Sequence, residues 1–387
     1  MPNFGDFQVS VYLEGMFGGR TPELTTDLVQ LEEQARAVLP ADAMGYIVPS
    51  AGHGATARAN REAFDRWRIV PRMMRGAVER DLSCTVLGTA MPAPVLIAPI
   101  GVQTLAHPDG ELATARAAAA LGVTYTHSTA PSHSFEQVAE AGGSGPRWYQ
   151  LYYPSDRDVC ASFLERAAAS GFEVLVVTLD TTLLGWRPAD LDRGFLPFLA
   201  NVGIQNYLTD PAFLGKLAKP VAEDPAAATS LWARMFPNPG LSWSDLPFLR
   251  EHWDGPIVVK GVLAAEDARA AIDAGMDGIV VSNHGGRQVD GSVAALDALA
   301  TVAAAVGDRT TVLFDSGIRT GTDVVKALAL GADAVLLGRP FLYGLALAGQ
   351  SGVEHVLRCL LAELDLALTL SGHPDPATLT PEALHRS

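Results

Sequence analysis

The run Ser282-Asn283-His284-Gly285-Gly286-Arg287-Gln288 closes an apolar, β-branched stretch, Gly278-Ile279-Val280-Val281, and so falls where a buried strand stops. A neutral imidazole there can take a proton near pH 7. A guanidinium three residues on can hold a carboxylate through two parallel hydrogen bonds, and the two glycines between them let backbone approach a flat ligand. One short segment thus supplies a base, an anion clamp and room for a cofactor. An isolated histidine in a turn would mean no more than a loop bonded to its own backbone, so the rest of the chain has to decide. A second signal lies further on. Asp315-Ser316-Gly317-Ile318-Arg319-Thr320-Gly321 opens a helical pattern over 322–330, and Gly338-Arg339-Pro340 follows the last strand-like run. Glycine N–H groups and a helix N-terminus favour an anion, and two arginines add charge and forked donors. A phosphorylated cofactor fits this pair of loops.

The elements that must position these residues alternate from about residue 93 onward. Strand-like runs cover 94–99, 123–128, 147–152, 174–180, 256–260, 278–283, 311–316 and 334–338, eight in all. Between them lie helical patterns at 110–121, 156–170, 264–274, 294–306 and 322–330, with apolar residues at three-to-four spacing. Gly122, Gly171, Gly275 and Gly331 stand where helices should end and strands begin. Strands that read as continuous apolar runs are buried on both faces, as in a parallel sheet covered by helices. The pattern predicts an α/β fold, a closed (β/α)8 TIM barrel. The rival, a doubly wound open sheet, needs a glycine-rich first turn, and 98–104 has no GxGxxG.

In such a barrel the catalytic face is built at the C-terminal strand ends. Polar residues stand there: Ser128 on the second run, Gln150 and Tyr152 on the third, Thr178 and Asp180 on the fourth, Lys260 on the fifth. His284 and Arg287 follow the sixth, Asp315 ends the seventh, and Gly338 and Arg339 follow the eighth. Each has a plain alternative: Asp180 could cap the next segment, Lys260 could reach solvent, Tyr152 could be a core ring. Their convergence from different strands makes a site.

The flanking regions read differently. Residues 1–92 form an N-terminal helical extension, with an amphipathic helix over 25–38 opened by Thr25-Thr26-Asp27 and another over 55–67; residues 93–387 form the barrel. The stretch 188–247, rich in Pro, Trp and Phe, is too long for an ordinary connection and reads as a lid over the barrel mouth. Its aromatic content argues for packing and against a disordered insertion. Of 387 residues, 48% are hydrophobic and 18% charged, enough for a well-buried core. The net charge of -15, without a Lys/Arg run, disfavours nucleic acid and anionic membranes as partners. Three cysteines give neither a disulfide framework nor a metal pattern, and with no signal peptide or apolar span in the sequence the expected location is the cytoplasm.

Together Ser282 to Gln288, Gln150-Leu151-Tyr152, Thr178-Leu179-Asp180 with Arg187, Asp315 to Arg319, and Gly338-Arg339-Pro340 resemble the FMN-dependent 2-hydroxy acid oxidases and dehydrogenases over nearly the whole chain. Within that family the lactate 2-monooxygenase branch is most similar, on Gln150 to Pro154, Leu179-Asp180-Thr181, Gly185-Trp186-Arg187-Pro188, Asn206-Tyr207 and Thr209-Asp210-Pro211. The resemblance implies FMN as cofactor, a small 2-hydroxy acid and O2 as partners, and a tetrameric or octameric homo-oligomer. His284 would be the base, Asp180 its orienting carboxylate, and Tyr152 the contact to the substrate hydroxyl. Arg187 and Arg287, with Tyr46, would hold the substrate carboxylate. Ala98, Pro99, Ile100, Gly101, Ser128, Gln150, Thr178, Lys260 and Ser282 would hold the flavin ring, and Asp315, Gly317, Arg319, Gly338 and Arg339 its ribityl phosphate; no metal is implied. The implied reaction is oxidation of a lactate-like L-2-hydroxy acid to the 2-oxo acid with O2 as acceptor, followed by oxidative decarboxylation. Alternatives are a simple oxidase that acts on a different 2-hydroxy acid, such as a biosynthetic one, and reduces O2 to free H2O2, and a non-redox barrel that binds a phosphorylated ligand. One departure stands out: Tyr46-Ile47-Val48-Pro49-Ser50-Ala51-Gly52-His53-Gly54 replaces a glycine-rich stretch ending in acids, removing a backbone donor at Pro49 and a bracing carboxylate.

Overall fold

Eight parallel strands close a barrel in the computed structural model, which describes residues 3–76 and 79–387. They are β1 (Val95–Ile97), β2 (Thr124–His127), β3 (Arg147–Leu151), β4 (Leu175–Thr178), β5 (Ile257–Val262), β6 (Gly278–Val281), β7 (Thr311–Phe314) and β8 (Ala334–Leu337). Each pairs with its sequence neighbours, and β8 returns to β1. All eight expected strands are present, so the barrel reading holds and the open sheet does not. Helices Gly110–Leu121, Arg157–Ala169, Ala265–Asp273, Ala295–Val306 and Gly321–Ala329 lie in the connections where the periodicity put them.

Side chains alternate along a strand with period two, and that alternation builds the catalytic floor. Leu96, Trp148, Val176, Val258, Val280, Leu313 and Leu336 form one apolar cluster inside the barrel. The hairpin Cys84–Val86 and Thr89–Met91 closes its lower end, where Val86 and Met91 join the cluster and Trp148 Nε1 donates to Thr89 Oγ1 at 2.9 Å. Two residues beyond this layer the same inward face carries Ala98, Ser128, Gln150, Thr178, Lys260, Ser282, Asp315 and Gly338. Apolar residues at one level and mostly polar ones at the next turn a packed core into a reactive surface.

The N-terminal region holds helices Asp6–Gly18, Leu31–Val38, Ala41–Ile47 and Ala55–Asp65. The helix expected from residue 25 begins only at Leu31. Asp27 accepts from Val29 N at 3.0 Å and Gln30 Nε2 at 2.7 Å, building a turn in place of a cap. The helix expected to reach 67 stops at Asp65, because Trp67–Ile69 pairs antiparallel with Leu384–Arg386. Helices Asp6–Gly18 and Ala41–Ile47 were not foreseen, nor was the 32-residue helix Arg339–Leu370, which kinks at Ala348 and Gly349.

Within 188–247 lie helices Pro188–Arg193, Gln205–Leu208, Pro211–Leu214 and Pro225–Met235. The stretch is packed. Arg166 donates to the Asn206 carbonyl at 3.0 Å, Asp210 Oδ2 at 3.1 Å and Thr209 Oγ1 at 2.8 Å, while the Tyr207 ring meets Phe163 edge-on at 4.7 Å. Among the described residues no helix is long and apolar enough to cross a membrane.

Candidate active site

The inward ring of the barrel is a hydrogen-bonded floor. Ser128 Oγ donates to Gln150 Oε1 at 3.0 Å, and Gln150 Nε2 donates to Thr178 Oγ1 at 2.9 Å. On the opposite arc Lys260 Nζ lies 2.9 Å from both Ser282 Oγ and Asp315 Oδ2. Burial disfavours the Lys260 charge, but Asp315 and Asp180 outweigh it and raise its pKa, so the floor carries a fixed cation.

His284 stands above this floor in a left-handed backbone conformation, φ 58°, which a residue with a Cβ adopts only under constraint. The constraint is visible. Ser282 Oγ accepts from His284 N at 3.0 Å, and Ser316 Oγ accepts from Asn283 N at 3.2 Å and Gly285 N at 3.0 Å. Asn283 also exchanges two amide bonds with buried Asn60, at 2.8 and 2.7 Å, tying the turn to helix Ala55–Asp65. That helix comes close enough that a Cβ on Gly286 would sit 2.8 Å from Ala57 N.

The imidazole is oriented as firmly as its backbone. Nδ1 lies 2.9 Å from Asp180 Oδ1 and 3.3 Å from Thr181 Oγ1, and Thr181 Oγ1 in turn donates to Asp180 Oδ1 at 3.0 Å. A carboxylate at Nδ1 holds the proton there and leaves Nε2 as the acceptor facing the cavity. Tyr152 Oη is 3.4 Å from that Nε2, with the two rings near parallel. Burial lowers the His284 pKa, with Asp180 opposing, so the ring is neutral at pH 7. For Asp180 burial pushes upward, but His284, Lys260 and Thr181 together bring it below the usual carboxylate range. Burial first, then Asp180 and Tyr46, push the Tyr152 phenol well up, so it stays a donor.

Around the cavity stand guanidiniums short of counter-charge. Among the described residues Arg319 bonds only the Ile318 carbonyl, at 2.9 Å. Arg339 bonds the carbonyls of Gly285 at 3.1 Å and Pro49 at 3.2 Å, and Arg287 bonds Pro49 O at 2.8 Å with its cation 5.3 Å above the Tyr46 ring. Arg187 has one distant carboxylate, Asp190 at 3.6 Å. Burial, and for Arg287 the like charge of Arg187 next, disfavours the protonated forms of Arg287 and Arg319. Buried cations with only carbonyl partners call for anions. A phosphate between Arg319 and Arg339 and a carboxylate between Arg187 and Arg287 meet that need, so the residues fit a phosphorylated flavin with an acid substrate. One expectation is corrected: helix Gly321–Ala329 offers the phosphate no free N-terminus. Asp323 accepts from the backbone N of Arg319 and Thr320, and Glu363 accepts from that of Gly321.

The unusual Tyr46 to Gly54 stretch has a local explanation. Pro49 contributes its carbonyl, which two arginines use, so the missing N–H costs nothing. The brace comes from the other side: Asp290 accepts from His53 N at 2.8 Å and Thr56 N at 3.0 Å. His53 itself is exposed and outside the cavity.

Of the residues expected in the site, all but Gln150, Thr178, Asp180 and Ser282 line one cavity. Gln150 and Thr178 belong to the floor network, Asp180 stands behind His284, and Ser282 bonds Lys260 and the His284 N–H. Sequence reasoning missed Thr181, Ser316 and several apolar side chains that also line the cavity, among them Leu184, Phe198 and Phe236. It missed Asn60 as well, which no motif marks.

Comparison with known proteins shows the family and the fold. A family model described as FMN-dependent dehydrogenase matches residues 35–386. The chain is 46% identical over 387 residues to the FMN-dependent alpha-hydroxy acid dehydrogenase qulF of Penicillium citrinum, covering 99% of this chain and 96% of that one. It is 42% identical to an L-lactate oxidase of Lysinibacillus sphaericus, covering 88% of each. A crystal structure of mandelate oxidase with (S)-4-hydroxymandelic acid superposes with a TM-score of 0.83 at 39% identity, over 93% of this chain and 98% of the other. With a cavity whose buried cations fit a phosphorylated flavin and a family match over nearly its whole length, the chain belongs to the FMN-dependent dehydrogenase family and is an oxidoreductase with FMN as its cofactor.

Proposed function

We propose that the protein oxidises an L-2-hydroxy acid to the 2-oxo acid with O2 as the final acceptor. The observation that carries this reading is the neutral His284, its Nδ1 held by Asp180 and its Nε2 open to a cavity flanked by two guanidiniums, Arg287 with no carboxylate partner among the described residues and Arg187 with only Asp190 at 3.6 Å. Relatives named as a hydroxy acid dehydrogenase and a lactate oxidase support the same class. FMN, when bound, accepts the two electrons that leave substrate C2 and passes them to O2. Arg187 and Arg287 grip the substrate carboxylate bidentately, and Tyr46 adds a hydroxyl contact. Tyr152 donates to the substrate oxygen, and His284 Nε2 takes the hydroxyl proton as C2 is oxidised. Asp180 stabilises the resulting imidazolium. Lys260 supplies positive charge at the floor that favours a reduced, anionic ring. Ala98 to Gly101 with Ser128, Gln150 and Thr178 hold the ring system, and Gly317, Arg319, Gly338 and Arg339 surround the phosphate; Asp315, expected with the phosphate group, instead pairs with Lys260 at 2.9 Å and, with Ser282, positions it. A non-redox phosphate-binding barrel would leave His284 and its flanking arginines without a task.

The fate of the oxo acid depends on the roof. Phe198 and Phe236 from 188–247 line the cavity together with the catalytic residues, so that segment stands where it can slow product release. Oxo acid held beside newly formed peroxide is decarboxylated, for a sum of hydroxy acid plus O2 giving the carboxylate one carbon shorter, CO2 and water. Rapid release gives oxo acid and H2O2. The retained route is the one proposed here. Its test is a product balance in air, in which CO2 should match O2 consumed; shortening the lid around 225–239 should shift products towards oxo acid and H2O2. Stoichiometric H2O2 from the intact enzyme would make it a simple oxidase and leave the oxidation step standing.

A further inference from the structure

Four aromatic rings form a horseshoe over the cavity. Tyr46 meets Phe198 edge-on at 6.1 Å, Phe198 stacks with Phe236 at 6.4 Å, and Phe236 meets Tyr152 edge-on at 5.5 Å. Trp232 backs the middle of the arc, 5.1 Å from Phe198 and 5.3 Å from Phe236. The two ends are anchored on groups that bind substrate in the reading above. Tyr46 lies under the Arg287 cation, and Tyr152 lies against His284.

A 2-hydroxy acid gripped by Arg287 at its carboxylate and by His284 and Tyr152 at its hydroxyl spans the gap between those ends. With its carboxylate and hydroxyl held at the two ends and its C2 hydrogen given up in the oxidation, the side chain is the one C2 substituent left to pack, and the arc joining those ends is the surface beside it. The cavity's charged residues are Arg187, Arg287, Lys260, Asp315, Arg319 and Arg339, and each already serves the carboxylate, the floor or the phosphate. None is left for a second charge on the substrate. The arc therefore offers ring edges and faces alone, with Leu184 at the rim.

Resting on the proposed oxidation, we infer that the preferred substrate is a 2-hydroxy acid with a bulky, uncharged apolar side chain, aromatic or branched aliphatic, and that Phe198 and Phe236 set this preference. A methyl group reaches little of the arc, and a carboxylate or hydroxyl placed there loses hydration without gaining a partner.

The experiment compares anaerobic flavin reduction of the holoenzyme by L-3-phenyllactate, L-2-hydroxyisocaproate, L-lactate, L-glycerate and L-malate. The first two should exceed lactate at least about tenfold in rate over dissociation constant, and lactate should exceed malate. In Phe236→Ala, and in Phe236→Leu, which keeps the roof filled, the ratio of phenyllactate to lactate should fall at least about tenfold while FMN stays bound. Lactate, glycerate or malate as the best substrate, or folded variants in which all substrates fall equally, would overturn the inference. No reduction by any of the five would instead sink the proposed oxidation itself.

Discussion

At the floor of the cavity eight strands each place one residue, two positions past a packed, mainly apolar layer, and six of these residues are joined into two arcs by side-chain bonds at 2.9 to 3.0 Å. At the roof the lining residues Phe198 and Phe236 come from a stretch with no repeating pattern, fixed from behind by Arg166 and by ring packing. The floor inherits its geometry from backbone pairing, so it is set before any side chain is chosen. The roof is set by side-chain contacts and a few isolated backbone bonds, such as Ser155 N to Met235 O at 2.9 Å. Reaction type belongs to the first kind of construction, and choice of substrate to the second.

The comparison breaks most visibly if a floor-side residue proves dispensable. His284→Ala should lower anaerobic flavin reduction about 1000-fold while FMN remains bound, because proton abstraction is lost and the cradle is untouched. Normal reduction would remove His284 from the reaction. Arg319→Ala sharpens the separation of cofactor from chemistry. Losing a charge-assisted phosphate bond should weaken FMN about 10- to 100-fold, read as flavin lost on dialysis, with near-normal reduction once FMN is resupplied in excess.

How much of this was legible in the sequence follows the same division. Continuous apolar runs made all eight strands readable and three-to-four spacing five helices, and the strand ends then pointed to Gln150, Lys260, His284 and Asp315. The roof gave only composition, so 188–247 could be read as packed while Phe198 and Phe236 could not be assigned. Asn60 was invisible for another reason. Its reciprocal bond with Asn283 spans 223 residues, and a lone asparagine on an amphipathic helix carries no local sign of it. The Pro49 departure was misleading in kind: the sequence shows a lost donor, whereas the fold uses the carbonyl.

Asn60 also yields the smallest expected effect. Asn60→Ala leaves the Asn283 amide buried and short of a partner, which costs about 1–3 kcal/mol, and it relaxes the left-handed turn at His284. The reduction rate should fall about tenfold with little change in substrate dissociation constant. An equal loss in both would mark Asn60 as structural only.

The central claim is that a neutral His284, ionised below its ordinary pKa because it is buried, takes the substrate proton. Its sign is definite: the base works when deprotonated, so activity is lost as pH falls through that pKa and is independent of pH just above it. The direct measurement is the second-order rate constant for anaerobic flavin reduction by an L-2-hydroxy acid, followed from acidic to neutral pH. The prediction is complete reduction, with the rate constant rising through a single ionisation below 6.5 and level at neutral pH. Absence of reduction, or a rate constant that is highest in acid, would contradict it.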